Sequence, residues 1–308
     1  MPYFGSSSNS FDFSYVLGIC WKEWETLRED SESNIVAAIV EERAAVAGIV
    51  DPAAVRSTMR KLNLLRVLAI CAVGLTELPA SPIPATTFES GETQTTLIEL
   101  FTSEGCSSCP PADAWLSKLK DNPDLWKRVV PVAFHVDYWN RLGWPDRFSR
   151  PEFTDRQHRY AAAWRIDSVY TPNFVVNGQE WKGWFNNGML STRPAKIGKL
   201  RITISSSDVA ATFESAQTEP LKLQVALLGT NLESDVKRGE NSGRKLRHDF
   251  VVLDLIQTDM TKESSHWTGS MALPKQSGDE KPSALAAWIS AKGVPIQATG
   301  GWFVGGIK

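Results

Sequence analysis

The stretch Leu97-Ile98-Glu99-Leu100-Phe101-Thr102-Ser103-Glu104-Gly105-Cys106-Ser107-Ser108-Cys109-Pro110-Pro111-Ala112-Asp113 decides how this chain is read. An apolar, strand-like run ends in a short polar turn, and two cysteines follow where the pattern predicts a helix to begin. Pro110 and Pro111 suit the first helical turn, where a missing N–H costs nothing. Two thiols with two residues between them close a small disulfide ring. The free N–H groups and positive dipole end of a helix favour thiolate over thiol. The motif predicts a thiol–disulfide exchange centre, with Cys106, nearest the turn, as an exposed nucleophile and Cys109 as the resolving thiol. Ser107 and Ser108 add neither charge nor ring, so the Cys106 thiol is expected to be less acidified than in motifs with an intervening histidine.

Working outward, residues 95–101 read as a buried strand and 110–120 as a helix with Trp115, Leu116 and Leu119 on one face. Residues 129–136 read as a second strand, parallel to the first through a right-handed crossover. Residues 151–164 suit a helix and 174–176 a third strand, and Asn177-Gly178 is a strong hairpin turn. After about residue 195 the pattern changes. Residues 200–205 and 221–227 alternate, 250–256 is a further strand candidate, and helical character returns at 283–291. The expected architecture is an α/β domain over 94–195 and a separate β-rich domain over 196–308, a small antiparallel sandwich.

The composition is that of an ordinary globular protein: 308 residues, 42% apolar, 22% charged, net charge -2. Nothing in that balance points to nucleic acid or to an anionic membrane. The four cysteines, Cys20, Cys71, Cys106 and Cys109, exclude a disulfide-stapled scaffold, and no second CxxC completes a zinc ribbon. Upstream, the basic Met59–Arg66, the short apolar Val67–Leu75 and the Pro- and Ala-rich Leu78–Ala85 read as a secretory signal over 59–85, too short to span a bilayer. A periplasmic or extracellular protein follows, without a stable membrane span after cleavage. Residues 1–58 are then expected to lie upstream of a true start at Met59; the alternative is a genuine helical region around 34–50. Residues 86–93 read as a linker.

A third element of an exchange centre is a surface that holds substrate, and Val169-Tyr170-Thr171-Pro172-Asn173-Phe174-Val175-Val176-Asn177-Gly178 is the candidate. A cis Thr171-Pro172 bond would leave the Thr171 backbone free to pair with an extended substrate beside the thiols.

With these elements in place, residues 94–178 resemble the thioredoxin-like superfamily. More narrowly, the chain is similar to DUF1223, a family of secreted bacterial proteins with a thioredoxin-like domain. The matching stretches are Glu99–Asp113, Phe134-His135-Val136-Asp137-Tyr138-Trp139, Tyr170-Thr171-Pro172 and, further on, Val236–Arg244. The resemblance covers about residues 94 to 300 and implies a thioredoxin-like fold and export, but no substrate. There are departures from thioredoxin. Gly105 stands where a tryptophan usually precedes the first cysteine, and Leu100 falls at the spacing of the buried acid.

Glu99 and Glu104 are therefore candidate proton acceptors. Glu99 is expected on the other sheet face, and Glu104 reads more simply as a solvated turn residue. His135 and Asp137, at the C-terminal end of the second strand, lie on the sheet edge that carries the thiols; the plainer reading is a hydrogen-bonded strand-end histidine and a helix-capping aspartate. Tyr138, Trp139 and Trp144 are candidate groove-lining aromatics or core residues. The loop Lys237–Arg244 reads as a solvated hairpin loop, or as one that binds an anion or packs on the first domain. His248-Asp249 point apart in a strand and suggest no hydrolase triad.

The leading expectation is an exported thiol–disulfide oxidoreductase acting on protein or small-molecule thiols and disulfides, with its redox-active disulfide in place of a cofactor. One alternative is a metal module in which Cys106, Cys109 and His135 hold Cu(I). Another is a non-enzymatic binding protein whose CxxC is a structural disulfide, which a buried Cys106 would favour.

Overall fold

A computed structural model of the protein describes residues 86–186, 195–205, 208–274 and 279–303. The signal-like segment 59–85 and the extension 1–58 lie outside the described residues. The strands, in chain order, are β1 (Thr86–Glu89), β2 (Thr96–Thr102), β3 (Val129–His135), β4 (Asn173–Val176), β5 (Gln179–Glu180), β6 (Lys199–Ser205), β7 (Asp208–Glu214), β8 (Leu221–Gly229), β9 (Leu232–Asp235), β10 (Lys245–His248), β11 (Val251–Asp259), β12 (Thr261–Lys262), β13 (Trp267–Ala272), β14 (Ala284–Ala291) and β15 (Val294–Trp302). The α-helices among the described residues are α1 (Pro110–Ser117) and α2 (Pro151–Trp164). None of the described helices is long and apolar enough to cross a membrane.

The expected α/β thioredoxin-like domain followed by a separate β-rich domain does not form. The chain is mostly β, and its main sheet takes strands from both halves. The eight-stranded order is β15-β14-β8-β11-β3-β2-β4-β5. The first half does supply the expected parallel pair, with β2 and β3 in register from Thr96↔Val129 to Thr102↔His135. But β3 is buried along its whole length, and such a strand cannot be left as a bare edge. β11 covers it, entering parallel at Val251↔Ala133, with the Ala133 N–H donating to Phe250 O at 2.8 Å. β8, β14 and β15 then extend the sheet antiparallel.

A five-stranded sheet, β1-β6-β7-β13-β12, packs on this one. In β8, Leu223, Val225 and Leu227 face the second sheet, whereas Ala226 and Leu228 join Phe101, Phe134 and Trp288 in the core beneath α1 and α2. β14 divides its side chains in the same way: Leu285, Ala287 and Ile289 go to one core, Ala286 and Trp288 to the other. A strand buried on both faces loses the alternation that identifies strands. The helix expected over 283–291 is for this reason strand β14. The linker expected over 86–93 is also corrected: Thr86–Glu89 form β1, paired antiparallel with β6.

Both faces of β2 are buried. Glu99, on the face away from the thiols, accepts from Arg156 Nε and from Tyr160 Oη, each at 2.5 Å. Its role is a buried ion pair between β2 and α2, so Glu99 is removed from the proton-acceptor candidates.

Candidate functional site

Cys106 and Cys109 are joined as a disulfide with a Cα–Cα distance of 5.5 Å. The β2 run ends at Thr102, the turn bends at Ser103–Cys106, and Cys109 caps α1, followed by its two prolines. The Cys109 N–H donates to Cys106 O at 3.2 Å, so a hydrogen-bonded turn already closes the ring. Thr171-Pro172 is cis. Thr171 O lies 3.7 Å from Cys106 Sγ and 3.5 Å from Ser108 Oγ, and Ser108 Oγ lies 3.3 Å from Cys106 Sγ. The carbonyl predicted to meet a substrate chain thus stands directly over the sulfur.

One expectation is overturned: Cys106 is not exposed. Both cysteines are 0% accessible. The loop between β9 and β10, which the sequence suggested was solvated, bonds to the turn that carries Cys106. Asn241 Nδ2 donates to Glu104 O and to Cys106 O, both at 2.9 Å. Glu240 Oε2 accepts from the Ser107 N–H at 3.0 Å and from Ser107 Oγ at 2.7 Å. These bonds hold the Glu240 carboxyl below its ordinary value. Ser107 and Ser108 remain exposed and mark the open side of the site.

Gly105 is explained by packing. A Cβ added there would sit 2.9 Å from Trp139 Cβ, and Trp139 is held in place by donating from Nε1 to Thr171 Oγ1 at 2.7 Å. Gly105→Ala is expected to cost about 1–3 kcal/mol through overpacking, read by thermal unfolding. An unchanged melting temperature would show that this contact relaxes freely.

Glu104, in the turn before Cys106, and Asp113, in α1, belong to a buried ionisable cluster. Glu104 is 0% exposed rather than solvated. Its Oε2 accepts from Trp144 Nε1 at 2.7 Å, and its Oε1 lies 3.4 Å from His248 Nε2. His248 Nδ1 lies 3.8 Å from Asp113 Oδ2. The His135 and His248 rings meet edge to face with centroids 4.9 Å apart. His135 Nδ1 bonds Asp146 Oδ2 at 2.7 Å, and Asp146 also accepts from the N–H groups of Glu104 and Phe148, at 2.8 and 3.0 Å. Burial pulls the His135 imidazole down, but Asp146, Asp113 and Glu104 outweigh it and hold it above its ordinary value. Burial pushes Asp146 up, yet His135 and the two N–H donors bring it below the ordinary carboxylate range. For Glu104, burial raises the carboxyl, and the contact with His248 leads the effects that leave it lowered. Asp113 is raised by burial.

The structure brings Thr171 to the Cys106–Cys109 disulfide and gathers Glu104 and His135 in the buried cluster. It leaves out Asp137, whose Oδ1 accepts from Thr154 Oγ1 at 2.5 Å at the start of α2. The Cu(I) reading concerns the reduced thiols; in this structure the sulfurs are bonded to each other, and His135 bonds Asp146 through Nδ1 while its Nε2 has no hydrogen-bond partner. Among the described residues no group of three or more His, Cys, Asp or Glu side chains is arranged to hold a metal ion. Asp113, Asp146, Asn241 and His248 were missed. Asp113 alone left a sequence signal, four residues after Cys109 and so on the same helix face. A cavity of about 720 Å³ elsewhere, lined by Arg159, Trp164, Lys222 and Lys292 among others, includes none of these residues.

A disulfide at a helix start, in a turn and helix that also carry the buried acids Glu104 and Asp113, is what this arrangement defines. The chain belongs to the DUF1223 family, described as a protein of unknown function, whose model matches residues 97–290. A crystal structure of an Agrobacterium tumefaciens protein is 26% identical, covering 71% of this chain and 97% of that one, with a TM-score of 0.50. HBP35 of Porphyromonas gingivalis is 17% identical over 70% of this chain and 76% of its own, with a TM-score of 0.48. No curated protein matches the chain.

Proposed function

We propose that this protein is a thiol–disulfide oxidoreductase whose working bond is Cys106–Cys109, exchanging with protein or small-molecule thiols and disulfides outside the cytoplasm. The observation that carries the reading is the position of the disulfide. It bridges residues three apart in a turn that a backbone hydrogen bond already closes. Loop-closure entropy gives such a short ring only about 2 kcal/mol, against about 4.7 for a 100-residue loop. As a staple it ties down nothing distant. As a reactive bond it sits at a helix start with the Thr171 carbonyl 3.7 Å from its first sulfur. Export rests on the signal-like segment 59–85 and on the persistence of disulfides in oxidising compartments.

In this mechanism a substrate thiolate attacks Cys106 Sγ, and the Cys106–Cys109 bond breaks with its electron pair on Cys109. A second substrate thiol then displaces Cys106, leaving the substrate oxidised and both protein sulfurs reduced. The reverse sequence reduces a substrate disulfide. Because Cys106 is 0% exposed, substrate entry requires the groups packed around its sulfur to open. The Cys109→Ser variant is expected to accumulate mixed disulfides through Cys106 when offered glutathione disulfide, detected as a 305 Da-class glutathione adduct by mass, roughly one per chain.

The full burial of Cys106 favours a second reading, a structural disulfide in a binding protein. The reduction potential separates the two. A value below about −300 mV, with no adduct on Cys109→Ser, fits a structural bond and overturns the exchange reading.

A further inference from the structure

The cavity of about 720 Å³ between α2 and the main sheet has the size of a small-molecule site. Its helical wall is Arg156, Arg159, Tyr160, Ala163 and Trp164, whose three- and four-residue spacing puts them on one face of α2. Its floor is the sheet. On the helix side of β8 and β14 the apolar Ala226, Leu228, Ala286 and Trp288 give way, at the cavity, to Lys222, Gln224 and Ser290. The register sets these in two rows, Gln257↔Gln224↔Trp288 and Asp259↔Lys222↔Ser290. A third side is closed where the two halves of the chain meet: a Cβ on Gly178, in the β4–β5 turn, would lie 3.1 Å from Val294 Cγ1 in the β14–β15 hairpin.

Three features of the lining point to one kind of ligand. Gln224 and Ser290 are polar although only 4% and 5% exposed. They bond each other, Gln224 Nε2 to Ser290 Oγ at 2.9 Å and Ser290 Oγ to Gln224 Oε1 at 3.3 Å. That uses one of the two amide hydrogens of Gln224 and leaves the other to be met from the cavity. The charge is lopsided: Arg156, Arg159, Lys222 and Lys292 face a single carboxylate, Asp259, in a chain of net charge -2. Lys222 pairs with Asp259 at 2.6 Å and Lys292 with Glu219 at 3.1 Å, both in exposed pairs that bind weakly. Arg156 is held by Glu99, and Arg159 forms no ion pair among the described residues. Finally, the Trp164 ring is a fixed flat wall, stacked on Tyr160 with centroids 5.5 Å apart and donating from Nε1 to Gly178 O at 3.0 Å.

We propose that this cavity binds a small organic anion built on a flat apolar ring. The ring lies against Trp164, the acidic group is held by Arg159 together with Lys222 and Lys292, and Gln224 donates to a polar edge of the ligand from the floor. None of the lining residues belongs to the disulfide or to the buried ionisable cluster, so the site stands independently of the exchange reading.

The test is calorimetric titration of the full-length protein with three probes: naphthoate, its neutral counterpart naphthamide, and acetate as an anion without a ring. Naphthoate is expected to bind one per chain with a dissociation constant of about 1 mM or tighter, the affinity a ligand of its size reaches at ordinary efficiency. Naphthamide and acetate are expected to bind at least about tenfold more weakly, since each lacks one of the two features the lining recognises. Arg159→Ala is expected to weaken naphthoate about fivefold. Ala163→Phe, which fills the cavity from the helix wall, is expected to abolish binding. Arg159 and Ala163 are exposed, so both variants should keep the wild-type melting midpoint. The comparison of the three probes needs no variant at all. The proposal is overturned by wild type that takes no naphthoate up to about 10 mM, by naphthamide binding as tightly as naphthoate, or by folded Ala163→Phe binding naphthoate with wild-type affinity.

Discussion

Arg156→Ala is expected to destabilise the protein by about 3–5 kcal/mol, the loss typical of breaking a buried ion pair by removing one partner. Arg156 reaches from α2 to β2, where its Nε donates to Glu99 Oε2 at 2.5 Å and its Nη2 to Tyr160 Oη at 3.2 Å. Its guanidinium also lies 5.2 Å from the ring centroids of both Phe134 and Trp288. Glu99 is 0% exposed, so removing the cation strands a carboxylate inside the sheet with only the Tyr160 hydroxyl as donor. In a domain of this size such a loss lowers the melting midpoint by about 6–20 °C. The double change Glu99→Leu with Arg156→Leu is expected to recover most of it, because it removes both charges together. Denaturant unfolding of the three proteins checks this. A single variant within about 1 kcal/mol of wild type would mean that the pair is not stabilising in this sense.

The second large effect is at Asp146. Asp146→Asn is expected to cost about 3–5 kcal/mol near pH 6, because the carboxylate holds His135 and two backbone N–H groups at 0% side-chain exposure. The pH dependence follows from the directions of the two shifts. His135 is raised in the fold, so its contribution is fully present below the unfolded value of about 6.5 and is lost as pH rises through the folded value. Asp146 is lowered, so its contribution is present above about 3.9 and is lost as pH falls through its folded value. Stability from this pair is therefore greatest between about pH 4 and 6.5. The wild type should melt lower at pH 8 than at pH 6, and Asp146→Asn should flatten that difference. An equally steep alkaline fall in the variant would place its origin in another group.

The local elements were legible because their signals are local. The apolar run into Cys106, the two prolines after Cys109, the residues of α2 and the Asn177-Gly178 hairpin all formed where the pattern put them. β14 was misread because burial on both faces erases period two. Glu104 was misread because a turn residue is polar by type, and only the packing of Trp144 and His248 on it shows that the turn is covered. Asp146 and Asn241 carry no sequence pattern that connects them to the cysteines 37 and 135 positions away.

By itself, then, the sequence determined the chemistry-bearing pair, the helix that presents it, the Thr171-Pro172 partner and the parallel strands beneath, since each depends on spacings of a few residues. Only the tertiary structure decided that the two halves share one sheet, that the β9–β10 loop bonds to the turn carrying Cys106, and that three carboxylates and two imidazoles meet in a buried cluster with Glu104 and Asp113. Those facts depend on which strand covers the bare edge of β3. That is settled by the burial of an otherwise unpaired edge against strands far along the chain, and no local spacing encodes it.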